Sequence, residues 1–179
     1  MEKTLIIHPD DRSTDFLKPI YASIEKATII TGGKSKNEVV ELIEQHDRTI
    51  ILGHGSPNGL FAMRQFNCTE AMIIDHTMVP SLGVGKNNIY IWCNADQFVN
   101  RYHLKGFYSG MFISEYIEAI GCGVPTLEEN VEDSNKLFAD IVGKSVIMES
   151  KNICNNTKVL YYIPNNKIVQ YNNKRLYWR

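Results

Sequence analysis

The sequence predicts an α/β fold: a three-layer α/β/α sandwich on a mostly parallel sheet, with a C-terminal β-hairpin. Three observations predict it. Short apolar runs alternate with segments of helical spacing through the first half of the chain. Strands separated by helices need crossover connections, and these favour parallel pairing with both faces covered. The tail carries two β-like runs, Lys158 to Ile163 and Lys167 to Tyr171, about Pro164-Asn165-Asn166, which reads as a hairpin.

Each element follows in order. Thr4 to Ile7 is an apolar run stopped by His8-Pro9, a strand signal. Asp10, Asp11, Ser13 and Thr14 supply turn and N-cap chemistry for a helix-spaced set at Phe16, Leu17, Ile20, Tyr21 and Ile24, which Pro19 interrupts. Ala27 to Thr31 is β-rich and ends at Gly32-Gly33. Ser35 with Glu38 makes a capping box for a helix through Val39, Val40, Leu42 and Ile43. Thr49 to Leu52 is a third strand, stopped by Gly53-His54-Gly55. Gly59 to Met63 and Ala71 to Ile74 form a small hairpin, and Asp75 or Thr77 caps a turn through Val79 and Leu82. A loop at Gly83, Gly85, Lys86, Asn87 and Asn88 leads into a buried strand, Ile89 to Cys93. Ser109 to Ile120 and Thr126 to Val142 are expected helices, the second with Glu128 and Glu129 where the helix dipole favours acids.

The chain has 179 residues, the size of one well-cored domain. The reading is a single domain over 1–179, with the sheet core in 1–125 and a helix plus the hairpin in 126–179. That hairpin is also the candidate for pairing across a homodimer. Net charge is −1, and the basic residues are scattered apart from Lys174-Arg175, so neither nucleic acid nor an anionic membrane is an expected partner. No apolar run approaches the roughly 20 residues of a membrane span. The four cysteines, Cys68, Cys93, Cys122 and Cys154, form no C-x-x-C pair. They read as free thiols in a reducing, cytoplasmic setting. No cofactor is expected. Because His76, His103, Cys68 and Asp75 match no ligand spacing, no metal is expected either.

The chemistry lies at strand ends. In a parallel sheet, ligands bind at the carboxyl ends of the strands. Asp10 to Arg12, Gly32-Gly33, His54-Gly55 and Cys93-Asn94 all follow strands and collect on one rim. Taken singly, a strand-end cysteine is more often a small core residue, and a histidine before glycine is often a turn residue. Together they read differently. Neighbouring strands lie about 4.8 Å apart, within reach for proton transfer between side chains at their ends. His54 is then a base for the Cys93 thiol, and Gly55 N–H a donor to a developing oxyanion. Two other motifs are set aside. Thr31-Gly32-Gly33-Lys34-Ser35 ends like a phosphate loop, but Thr28 stands where that pattern needs glycine. Gly53-His54-Gly55-Ser56-Pro57 is like an α/β-hydrolase oxyanion loop, but the chain has no G-x-S-x-G elbow.

Ile50-Ile51-Leu52-Gly53-His54-Gly55-Ser56-Pro57-Asn58-Gly59-Leu60, followed by Ile89-Tyr90-Ile91-Trp92-Cys93-Asn94-Ala95, resembles the caspase-like (clan CD) cysteine peptidases. The first piece is most similar to CHAT-type domains. The likeness covers about residues 1–125 by layout and these two motifs by residue type. It implies a caspase-like fold and a cysteine endopeptidase acting on a peptide or protein substrate. His54 and Cys93 would be the catalytic dyad, and the N–H groups of Gly55 and Cys93 the oxyanion hole. It also implies a substrate pocket shaped by Asp10, Asp11, Arg12, Asn94 and Asp96. An acidic pocket favours Lys or Arg, whereas Arg12 favours an acidic side chain, and both stay open. The sequence departs from caspases in lacking Gln-Ala-Cys and in placing Asn94-Ala95-Asp96 after the cysteine. The alternative reading is a non-catalytic module that binds a small ligand or protein partner at the same rim.

Overall fold

The computed structural model describes residues 2–69, 71–83 and 86–179. The expected loop residue Gly85 lies outside them. The principal sheet has six strands in the order β2-β1-β3-β7-β8-β9. These are β1 (Thr4–Ile7), β2 (Thr28–Ile30), β3 (Arg48–Leu52), β7 (Asn88–Ile91), β8 (Gly106–Ser109) and β9 (Leu176–Trp178). All neighbours are parallel except β8 and β9. A small antiparallel sheet joins β4 (Gly55–Ser56), β5 (Gly59–Phe61) and β6 (Met72–Ile74), as the hairpin reading expects for the last two.

The central strands are apolar on both sides because both sides are covered. Leu5, Ile7, Ile51, Tyr90, Trp92 and Tyr108 face one core, and Ile6, Ile50, Leu52, Ile89, Ile91 and Phe107 the other. The first core is closed by α1 (Lys36–Gln45), α2 (Val79–Leu82) and α3 (Ala95–Arg101), through Val39, Ile43, Leu82, Phe98 and Val99. The second is closed by a 3-10 segment, Arg12–Ile20, by α5 (Glu128–Ser145) and by α6 (Ser150–Leu160), through Leu17, Ile20, Phe138, Val142 and Ile153. Each large aliphatic side chain so buried contributes about 1.5–3 kcal/mol. The Ser35–Glu38 capping box at the start of α1 is present, with Ser35 N donating to Glu38 Oε2 at 2.9 Å.

Three expectations change. The C-terminal hairpin is absent: Lys158–Leu160 ends α6, and Lys167–Asn173 is a further helix, α7. The run from Val159 to Ile163 carries β-forming residues, but α6 buries Ser150, Ile153, Cys154 and Thr157 at helical spacing. Val159, Leu160 and Tyr162 are left exposed. Asn166 is an N-cap, not a hairpin turn, accepting from the N–H groups of Ile168 and Val169. Homodimer pairing through that hairpin loses its basis. Second, the expected helix from Ser109 is shorter, α4 (Tyr116–Gly121), and Gly106–Ser109 is strand β8. Third, β9 returns to pair with β8, so the sheet core extends beyond residue 125. No helix among the described residues is long and apolar enough to cross a membrane.

Candidate active site

The register of β3 on β7 sets the site. Leu52 pairs with Ile91, and Gly53 N–H donates to Ile91 O at 3.1 Å. His54 and Cys93 follow at the carboxyl ends of these two central strands. Both residues line one small cavity, shared with Thr14, Phe16, Leu17, Gly53, Ile91, Trp92, Phe112 and Ser114. Its volume is about 20 Å³, room for about one water molecule and too little for a substrate side chain.

His54 is clamped from both sides. Gly53 has φ of 140°, a conformation open to glycine. Gly55 lies flat against Trp92: a Cβ there would sit 2.3 Å from Trp92 Cδ1 and 2.6 Å from Gly59 O. The indole Nε1–H donates to Ser56 O at 3.0 Å, and Phe61 N–H donates to His54 O at 2.9 Å. The antiparallel alternation then puts Gly55, opposite Leu60, at a position whose N–H points away from β5. The hairpin ladder therefore makes no use of that N–H, the one the oxyanion reading needs.

The His54 ring meets the turn after β1. Its Nε2 lies 2.6 Å from Ser13 Oγ. Asp11 Oδ1 accepts from Ser13 N–H at 2.9 Å and from Ser13 O–H at 2.8 Å. These bonds, the backbone one first, hold the Asp11 carboxyl below its usual range, with the nearby His54 adding to the effect.

Cys93 faces the other way. Its thiol lies 3.4 Å from Phe112 O and 3.6 Å from Glu118 Oε1, and donates between them. Burial first, and then the Glu118 carboxylate, push the thiol pKa up to about 12. In this arrangement Cys93 is a neutral thiol. Glu118 is held at the start of α4 by its other oxygen, which accepts from Ser114 N–H, Ser114 O–H and Glu115 N–H at 2.8, 3.1 and 3.1 Å. After Cys93 the chain turns through Asn94, at φ 66°, whose N–H donates to Gly110 O at 3.1 Å.

The structure thus brings His54 and Cys93 to one cavity, which Gly55 does not line. It does not bring the expected pocket residues to the same cavity, since Asp10, Asp11, Arg12, Asn94 and Asp96 do not line it. Asp10 and Arg12 are exposed. Asp11 belongs to the His54 support. Asp96 sits in the first turn of α3 with Oδ1 buried and unpartnered, and burial raises its pKa. Ser109, at the end of β8, is buried and donates to Trp92 O at 3.0 Å. Asp75 caps the 3-10 turn His76–Met78 and pairs with Lys36 at 2.6 Å. Among the described residues no group of three or more His, Cys, Asp or Glu is placed to hold a metal ion.

Ser13 and Glu118 are the functional neighbours that sequence reasoning missed. Ser13 reads as a capping residue, and Asp11-x-Ser13 is the only local hint of its second contact. Glu118 lies 25 residues from Cys93 and leaves no local signal.

Comparison with protein-family models, with curated proteins and with solved structures finds no match for this chain.

Proposed function

We propose that this chain is a caspase-like cysteine hydrolase acting on a peptide or protein substrate. One observation supports the reading: His54 and Cys93 follow adjacent parallel strands at their carboxyl ends and line one cavity. In the proposed reaction the Cys93 S–H proton passes to His54 as sulfur bonds to the scissile carbonyl carbon. The carbonyl π pair moves onto oxygen, which the Gly55 N–H meets. Collapse of that adduct breaks the C–N bond, and His54 returns the proton to the leaving amine. Water then attacks the thioester with His54 as base, releasing the acid and restoring the thiol. The contacts of Cys93 with Phe112 and Glu118 must open first, because a thiol held neutral is a poor nucleophile.

Those same contacts favour a second reading, a rim that binds a small ligand or protein partner without chemistry. Exposure to a peptide library with mass-spectrometric detection of cleavage separates the two. Hydrolysis predicts cleavage that Cys93→Ala and His54→Ala each abolish while circular dichroism shows an unchanged fold. Product formation by Cys93→Ala equal to that of wild type would remove the dyad from consideration.

A further inference from the structure

We propose that Ser13, carried by Asp11, is the positioning residue of this site. The Asp11–Ser13 pair holds neutral His54 as its Nε2–H tautomer and leaves Nδ1 as the ring's only basic nitrogen. This rests on reading His54 as the base, and proton accounting carries it. Ser13 has one hydroxyl proton and two claimants for it: Asp11 Oδ1 at 2.8 Å and His54 Nε2 at 2.6 Å. An ionised carboxylate has no proton of its own to offer, so the hydroxyl proton lies on the Asp11 side. Asp11 Oδ1 is further fixed as an acceptor by Ser13 N–H at 2.9 Å. The Ser13 oxygen therefore meets His54 as an acceptor, and Nε2 supplies the proton between them.

The arrangement serves both states of the ring. A proton arriving on Nδ1 leaves the Nε2–H bond to Ser13 unchanged. The Asp11 charge then faces the imidazolium through one hydroxyl, without reorganisation. It also removes Ser13 as a competing nucleophile, because its proton is committed to a carboxylate and not to a base that would take it. The same turn sets a second histidine by the same rule. Thr14 O–H donates to Asp11 O at 3.0 Å, so His8 Nε2–H donates to Thr14 Oγ1 at 3.0 Å. His8 Nδ1 accepts from Tyr21 O–H at 3.0 Å.

Long-range proton–nitrogen correlation spectra of 15N-labelled protein at neutral pH test this, with His54 assigned by its loss in His54→Gln. Wild type is expected to show a pyrrole-like Nε2 and a pyridine-like Nδ1 at His54. In Ser13→Ala the two ring-nitrogen shifts move toward each other as the tautomers mix, and Ser13→Thr restores their separation. Unchanged His8 ring shifts report that the turn still folds in each variant. A proton on Nδ1 of His54 in wild type overturns the proposal by itself, whatever the variants do. So does a Ser13→Ala spectrum identical to wild type in a folded protein. Neither result depends on turnover, so a failure here is distinct from a failure of the hydrolase reading.

Discussion

Glu118 Oε1 lies 3.6 Å from Cys93 Sγ and accepts the thiol proton. The carboxylate therefore opposes thiolate formation at the residue the reaction needs ionised. Replacing it by glutamine keeps an oxygen for the Ser114 and Glu115 N–H groups and removes the charge. Glu118→Gln should lower the Cys93 pKa from its value of about 12. Each unit gained raises the thiolate fraction about tenfold below the pKa. The check is the rate of iodoacetamide modification of Cys93 at pH 8, resolved by peptide mass spectrometry. A rate equal to wild type means that burial alone holds the thiol neutral.

Asn172 should control the same segment from a distance. It is fully buried, and its side chain pairs with Ile113 in both directions, accepting from N–H and donating to O at 2.8 Å each. Through Ile113 it fixes Phe112 and Ser114, which line the cavity around Cys93. Asn172→Ala leaves both Ile113 groups without those partners, at a cost of about 2 kcal/mol or more. Urea denaturation should show that loss, and Cys93 should become more reactive as the segment loosens. Lower stability with unchanged Cys93 reactivity would separate Asn172 from the site.

Gly55→Ala should be costly out of proportion to one methyl group. The added carbon meets a buried indole and a backbone carbonyl, and neither is the free end of a flexible chain. Overpacking of this kind costs about 1–3 kcal/mol. Thermal unfolding measures it. Wild-type stability in this variant would mean that the β4–β5 hairpin shifts freely on Trp92, and that the His54 backbone is not clamped.

Acid should weaken the protein through His8. Burial chiefly, helped by Lys18 and opposed by Asp15 and Asp10, lowers its pKa from 6.5 to about 4. The unfolded chain takes up the proton first as pH falls. The His8 contribution is therefore complete above about pH 6.5 and is lost progressively down to about pH 4. The loss sums to about 3 kcal/mol. Urea midpoints between pH 7 and pH 4.5 should fall in wild type, with that part of the slope absent in His8→Asn. Parallel slopes in the two proteins would assign the acid sensitivity elsewhere.

The elements legible in the sequence are those whose surroundings are encoded within a few residues. Thr4 to Ile7, Thr49 to Leu52 and Ile89 to Cys93 read as strands because most of their side chains are apolar, as suits strands covered on both faces, and β1, β3 and β7 lie on them. Ser35 and Glu38 mark a helix start because both halves of the capping box lie in one turn. The cavity that His54 and Cys93 both line was legible too as a place on the rim, since parallel strands deliver their carboxyl ends to one side of the sheet.

Local sequence by itself thus determined the α/β class, the central strands, the first helix cap and the rim that carries His54, Gly55 and Cys93. Tertiary structure alone decided the rest, because the deciding partners are far apart along the chain. Gly106–Ser109 is a strand only through its pairing with β7 and β9. Val159 and Leu160 are helical because Ile153, Cys154 and Thr157 of the same helix have a core to fill, and that outweighs the β preference of two exposed side chains. The same holds for the site's chemistry. The Ser13–His54 contact spans 41 residues and the Cys93–Glu118 contact 25. A proton's place on an imidazole or a thiol is set by what the fold puts within about 3 Å of it, and no spacing in the chain encodes that.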